Sequence, residues 1–203
     1  MYRVPGKIIV VSTPRTASRT TAKLLMDNEE TAHRLSLRHH ASIMEVNTAR
    51  KVYDEPLVTF TRHPVAHIQS MLHLEIEGNR TPKTRLIRIN NEIVPRKSMS
   101  FSFKDWVTDS NHYIAMMRLN GRVPMLNCYA QHVDHVLLLE DGITEGLSRF
   151  GLDVHEEEQH IGDIGEKRTR YDKVMTEENI ALSKQYFPYD WEVYEKALES
   201  REV

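Results

Sequence analysis

Residues 7–26, Lys7-Ile8-Ile9-Val10-Val11-Ser12-Thr13-Pro14-Arg15-Thr16-Ala17-Ser18-Arg19-Thr20-Thr21-Ala22-Lys23-Leu24-Leu25-Met26, decide how the chain is read. Ile8 to Val11 is a β-branched apolar run, the pattern of a strand buried on both faces. A hydroxyl-rich turn with two arginines follows, and Leu24-Leu25-Met26 have helix-compatible composition. A strand, a polar turn and a helix start in that order build an anion site. The first-turn N–H groups of the helix have no partner within it, and they sit at the positive end of its dipole. Arginine and hydroxyl groups complete a phosphate cradle. An ordinary strand–helix connection is the alternative, since a motif needs its context.

No glycine lies between Gly6 and Gly78, so the turn is neither a Walker A loop nor a dinucleotide fingerprint. Bulk properties narrow the class further. The 203 residues suffice for one domain, here 1–203, with a sizeable core. A net charge of −2 gives no overall field toward nucleic acid or a membrane surface. The one cysteine, Cys128, allows neither an intrachain disulfide nor a multi-cysteine metal site. No apolar stretch approaches a membrane span and the N-terminus has no signal-peptide pattern, so the cytoplasm is the expected compartment. The 11 histidines are scattered, and only His63 and His67 have the i, i+4 spacing that can place two ligands on one helix face.

Along the chain, candidate strands alternate with candidate helices. Arg34–Arg38 alternates as a half-exposed strand, and Ala41–Lys51 fits a helix with Ser42 as N-cap. Leu57–Thr61 reads as a strand, and Pro64 opens a helix to about Glu77. Ser102–Leu119 is a further helix and Val136–Leu139 a further strand. A helix then runs to Phe150 with Gly151 as its stop. Thr176–Phe187 and Tyr189–Glu199 close the chain as helices. This order predicts one α/β domain with a mainly parallel central sheet flanked by helices. Residues 78–102 form an insert with a small hairpin turning at Asn90-Asn91. The insert holds Arg80, Lys83, Arg85, Arg88, Arg96 and Lys97 against a single acid, Glu92. Such a patch is either a solvated loop or a surface that attracts an anionic partner.

In an open α/β sheet, ligands bind beyond the carboxyl ends of the strands. Arg62 stands at the end of the Leu57–Thr61 strand, and Ser70 falls about two turns down the next helix. Arginine with a hydroxyl at a second strand exit is a second phosphate-type site. Two such sites on one sheet edge suit a nucleotide with two separated anionic groups.

These residues resemble sulfotransferases that use 3′-phosphoadenosine-5′-phosphosulfate (PAPS). Pro14-Arg15-Thr16-Ala17-Ser18-Arg19-Thr20 is similar to that family's 5′-phosphosulfate loop. Arg62-His63-Pro64-Val65-Ala66-His67-Ile68-Gln69-Ser70 is similar to its 3′-phosphate motif. His40-Ala41-Ser42 resembles a segment of the carbohydrate-type members, and Phe103–Val107, Asp134–Asp141 and Tyr186–Tyr194 resemble later segments of the family, in the same order. The resemblance implies a P-loop-like sulfotransferase architecture. It implies transfer of a sulfuryl group from PAPS, without a metal, to a hydroxyl or amine of a small-molecule or carbohydrate acceptor. The basic insert would favour an anionic one. Arg15, Thr16, Ala17, Ser18, Arg19 and Thr20 would hold the 5′ side, and Arg62 and Ser70 the 3′-phosphate. Arg15 would also meet charge on the bridging oxygen.

The family usually carries lysine where Arg15 stands and glycine near Ala17. Arginine stays charged and cannot donate its proton as an acid. Alanine tolerates left-handed dihedrals poorly, which predicts a somewhat different loop shape. Histidine suits the role of general base, with His40 first, His39 next and Glu45 third. A non-catalytic nucleotide-binding module of the same fold and, less favoured, a nucleotide kinase are the competing readings.

Overall fold

The computed structural model describes residues 1–14, 16–36, 40–78, 86–89, 92–95, 102–108, 126–155 and 173–201. The chain enters through β1 (Tyr2–Val4), turns at Gly6 with φ +72°, and returns antiparallel as β2 (Ile8–Val11). All four residues of β2 are buried. Helix α1 (Ser18–Asn28) follows the polar turn, and β3 (His33–Arg34) pairs antiparallel with β1. Helix α2 (Ile43–Val52) leads to β4 (Leu57–Thr61), which pairs parallel with β2 and is buried along its whole length. Helix α3 (Pro64–Gly78) starts three residues after β4.

Within the insert, β5 (Leu86–Ile89) and β6 (Glu92–Pro95) form a separate antiparallel pair with Ile89 opposite Glu92, the hairpin expected from the sequence. The rest of the insert, with Arg80, Lys83, Arg85, Arg96 and Lys97, lies outside the described residues. Helix α4 (Phe103–Thr108) is the described portion of the helix predicted for 102–119. A 3₁₀ turn at Ala130–His132 precedes β7 (His135–Leu138), which pairs parallel with β4. Helices α5 (Ile143–Ser148), α6 (Glu177–Tyr186) and α7 (Pro188–Glu199) complete the order.

The fold is therefore a single-domain α/β structure around a five-stranded sheet ordered β3-β1-β2-β4-β7. That sheet is mixed, not mainly parallel as the sequence predicts. Only the β2–β4 and β4–β7 pairings are parallel, because β1 returns tightly through the Gly6 turn and brings β3 onto its other edge. The strand predicted at Arg34–Arg38 is also corrected. Pairing to β1 engages only His33 and Arg34, and residues 37–39 lie outside the described part.

Alternation along β2 and β4 explains why these strands look apolar throughout. Ile8, Val10, Val58 and Phe60 pack on one side with Leu25 of α1 and Leu147 of α5. Ile9, Val11 and Leu57 pack on the other with Val46 and Ala49 of α2, and with Cys128 and Tyr129. A third apolar cluster joins Ile68 and Leu72 of α3 to Phe103, Val107, Leu126 and Phe187. Each buried side chain of this size contributes about 1.5–3 kcal/mol, so both layers hold the two central strands in place. Among the described residues no helix is long and apolar enough to cross a membrane.

Candidate functional site

The turn after β2 is held by side chains that come from distant elements. The Ser12 carbonyl accepts from His40 Nδ1 at 2.8 Å. The Thr13 carbonyl accepts from Thr16 Oγ1 at 3.0 Å, and the Pro14 carbonyl from His67 Nε2 at 2.8 Å. A carbonyl oxygen only accepts, so each ring nitrogen that reaches it carries hydrogen. In the neutral His40 ring the lone pair then sits on Nε2. The Thr59 hydroxyl donates to the Val11 carbonyl at 2.8 Å, so the 2.8 Å contact between Thr13 and Thr59 has Thr13 as donor. Three consecutive carbonyls of the turn are thus engaged, and Ser12, Thr13 and Thr16 are buried.

Ala17 closes the turn at φ +54° and ψ +25°, the left-handed region. The sequence predicts that alanine resists this conformation; the turn adopts it nonetheless, and Ala17 also packs against the core. Helix α1 begins there with no side-chain cap and no acid in its first turn. The contrast with α2 is direct. Ser42 and Glu45 form a reciprocal capping box there, and Thr176 caps α6. The α1 start thus presents the positive end of its dipole at the β2 turn with no acid in its own first turn.

Val11 of β2 stands beside Thr59 of β4 in a parallel register, so the two strand exits lie side by side. Arg62 follows β4 and is half-buried, while Ser70 of α3 is buried. His67 and Ser70 are three residues apart and share one helix face. The bond from His67 to Pro14 shows that this face is turned toward the β2 loop. The α3 face that carries Ser70 and the β2 loop are thereby parts of one structure.

His63 and His67 have different surroundings. His63 packs edge-on against Trp191 and Tyr194, at ring-centroid distances of 4.9 and 5.2 Å. Burial, then Arg62 and Lys184, hold its pKa below the usual histidine value. Its backbone N–H donates to Glu140 at 2.7 Å, which ties the exit of β7 to the start of α3.

His40 is placed by a relay of buried contacts. Asp190, in the first turn of α7, accepts from the amides of Leu126 and Asn127 and from the Asn127 side chain. Its burial drives the carboxyl up to about 6, against the lowering effect of those hydrogen bonds. The segment fixed this way carries Tyr129, whose hydroxyl donates to the carbonyl of Ala41, next to His40. Burial raises the pKa of the Tyr129 phenol, which keeps it a donor. Glu45, the third candidate base, has its Oε2 on the Ser42 amide at 2.7 Å and on the Ser42 hydroxyl at 2.9 Å.

Of the predicted site residues, the structure gathers Thr16, Ala17, Ser18, His40, Arg62 and Ser70 around the two exits, with Arg19 and Thr20 in the first turn of α1. Arg15 and His39 lie outside the described residues. Thr13, Thr59 and Tyr129 were not legible as site residues, and His67 was legible only as one of a possible metal pair. Each acts through a hydrogen bond to a backbone or side chain far away in sequence. A cavity of about 650 Å³ between β7 and α7, lined by Val136, Phe150, Tyr189 and Val193, is separate and includes none of these residues.

The chain matches no family model, no curated protein and no solved structure.

Proposed function

We propose that this protein is a PAPS-dependent sulfotransferase with a P-loop-like sulfotransferase architecture. The observation that carries the reading is the pairing of two anion-type exits on neighbouring parallel strands. One is the β2 turn before the uncapped start of α1, and the other holds Arg62 and Ser70. The residues fit a nucleotide with two anionic groups: the α1 start with Thr16 to Thr20 suits one, and an arginine with a buried hydroxyl suits the other. The segment resemblance adds the sulfuryl donor to this fit.

When bound, the donor supplies the sulfuryl group, and the chain supplies position and charge. Thr16, Ser18, Arg19 and Thr20, with the amides of the α1 start, hold the 5′ side. Arg62 and Ser70 hold the 3′-phosphate. Arg15 is assigned to the oxygen that gathers negative charge as the bond to sulfur breaks, where preorganised cations act most strongly. His40 receives the acceptor's proton on Nε2, while Nδ1–H stays on the Ser12 carbonyl. Six basic residues of the insert favour an anionic acceptor such as an acidic carbohydrate.

A thermal-shift comparison tests this assignment. A ligand specific to the native state raises the melting temperature by mass action. Adenosine 3′,5′-bisphosphate should stabilise the protein more than ADP or ATP at equal concentration. A larger shift with ATP and magnesium would support a kinase instead. Bisphosphate binding with no transfer to any acceptor would leave a nucleotide-binding module.

A further inference from the structure

We infer that His67 is a positioning residue that joins the β2 turn to α3, so that the two phosphate-binding halves move as one unit. Its imidazole is fully buried, and its Nε2–H donates to the Pro14 carbonyl at 2.8 Å, across 53 residues of sequence. Pro14 has a fixed φ, so its carbonyl direction sets how the chain leaves it toward the start of α1. The same helix face carries Ser70, one turn further on. Anything that shifts α3, including an anion drawn to Arg62 and Ser70, therefore bears on the amides at the start of α1. The sequence offers His67 as half of a possible metal pair; the structure shows its ring on the loop.

The inference rests on the proposed function only for what the turn holds; the tether can be tested without any nucleotide. His67→Gln keeps an N–H donor of similar reach, whereas His67→Leu fills the volume and leaves the Pro14 carbonyl without its donor. Amide hydrogen exchange of Thr16–Thr21 is measured in both variants, with β4 amides as the control for global opening. Loss of a buried hydrogen bond should speed exchange in the turn roughly tenfold or more in His67→Leu. His67→Gln should stay close to wild type, and β4 should be unchanged in both. Affinity for adenosine 3′,5′-bisphosphate should fall about tenfold in His67→Leu, and much less in His67→Gln. Unaltered exchange at Thr16–Thr21 in a folded His67→Leu would overturn the tether. So would exchange that rises equally in the turn and in β4. Faster local exchange in a protein that binds no bisphosphate even as wild type would uphold the tether and defeat the sulfotransferase reading.

Discussion

His40 and Ser12 are joined across 28 residues by a 2.8 Å hydrogen bond from Nδ1 to the backbone carbonyl. One contact does two things: it fastens the loop before α2 to the end of β2, and it leaves the neutral ring's lone pair on Nε2. A histidine oriented through one nitrogen and basic at the other is the arrangement that general-base catalysis requires.

The two roles separate by substitution. His40→Gln can still donate to Ser12 but has no basic nitrogen. Turnover should fall by about 10²–10⁴ in both His40→Gln and His40→Ala, and the low-pH limb of the rate profile should vanish. Nucleotide affinity should stay within about threefold of wild type in His40→Gln, since its contacts are kept. Full turnover in His40→Gln would make His40 a tether alone and move the base to His39.

Arg15→Ala should lower turnover more than it lowers nucleotide affinity. Loss of one donor to developing charge typically costs about 10²–10³ in rate. Single-turnover kinetics with saturating donor isolate this step. An unchanged rate would remove Arg15 from the mechanism.

Ala17 sits at φ +54°, where an L-residue costs about 1–2 kcal/mol. Glycine removes that cost but loses its methyl packing and about 0.5–1 kcal/mol of chain entropy. Ala17→Gly should therefore leave stability unchanged or raise it by up to about 1 kcal/mol. Ala17→Val should lower it, because a β-branched side chain is a worse fit at positive φ. Urea midpoints decide the matter; a loss above roughly 1 kcal/mol in Ala17→Gly would show that the methyl contact outweighs the backbone.

Asp190 titrates near 6 in the native state, against about 3.9 in an unfolded chain. Between those values the native carboxyl holds a proton that the unfolded one has lost. Its contribution to stability is present at low pH and is lost as pH rises from about 4 through 6, on the order of 2–3 kcal/mol. Asp190→Asn has no such titration, so the difference in unfolding free energy between it and wild type should change across that window. Parallel pH curves for the two would contradict the assignment. Asp190→Ala should be severely destabilised, because it strands the buried amides of Leu126 and Asn127.

Much of the architecture was legible because it is local. Leu57–Thr61 is the strand its composition predicts, and Ser42 caps α2 through the S-x-x-E spacing of a capping box. β1 was missed because three residues before Pro5-Gly6 give too short a pattern, and with β1 went the antiparallel half of the sheet. For the site, the arginines, hydroxyls and strand exits could be read from the chain. The parts that orient them could not. His67 reaching Pro14, Thr13 reaching Thr59 and Tyr129 reaching Ala41 are contacts made only by the folded topology. His40 is one of 11 histidines, and the bond to Ser12 that ties it to the loop is made only in the folded chain.

The most direct test of the central claim is calorimetric affinity for adenosine 3′,5′-bisphosphate against 5′-AMP, in wild type and in Arg62→Ala. A charge-assisted contact is worth about 1.5–3 kcal/mol. Wild type should therefore bind the bisphosphate roughly 10- to 100-fold more tightly than 5′-AMP, and Arg62→Ala should erase most of that difference. Equal affinity of the wild-type protein for the two nucleotides would contradict the account, because no group at the β4 exit would then be reading the 3′-phosphate.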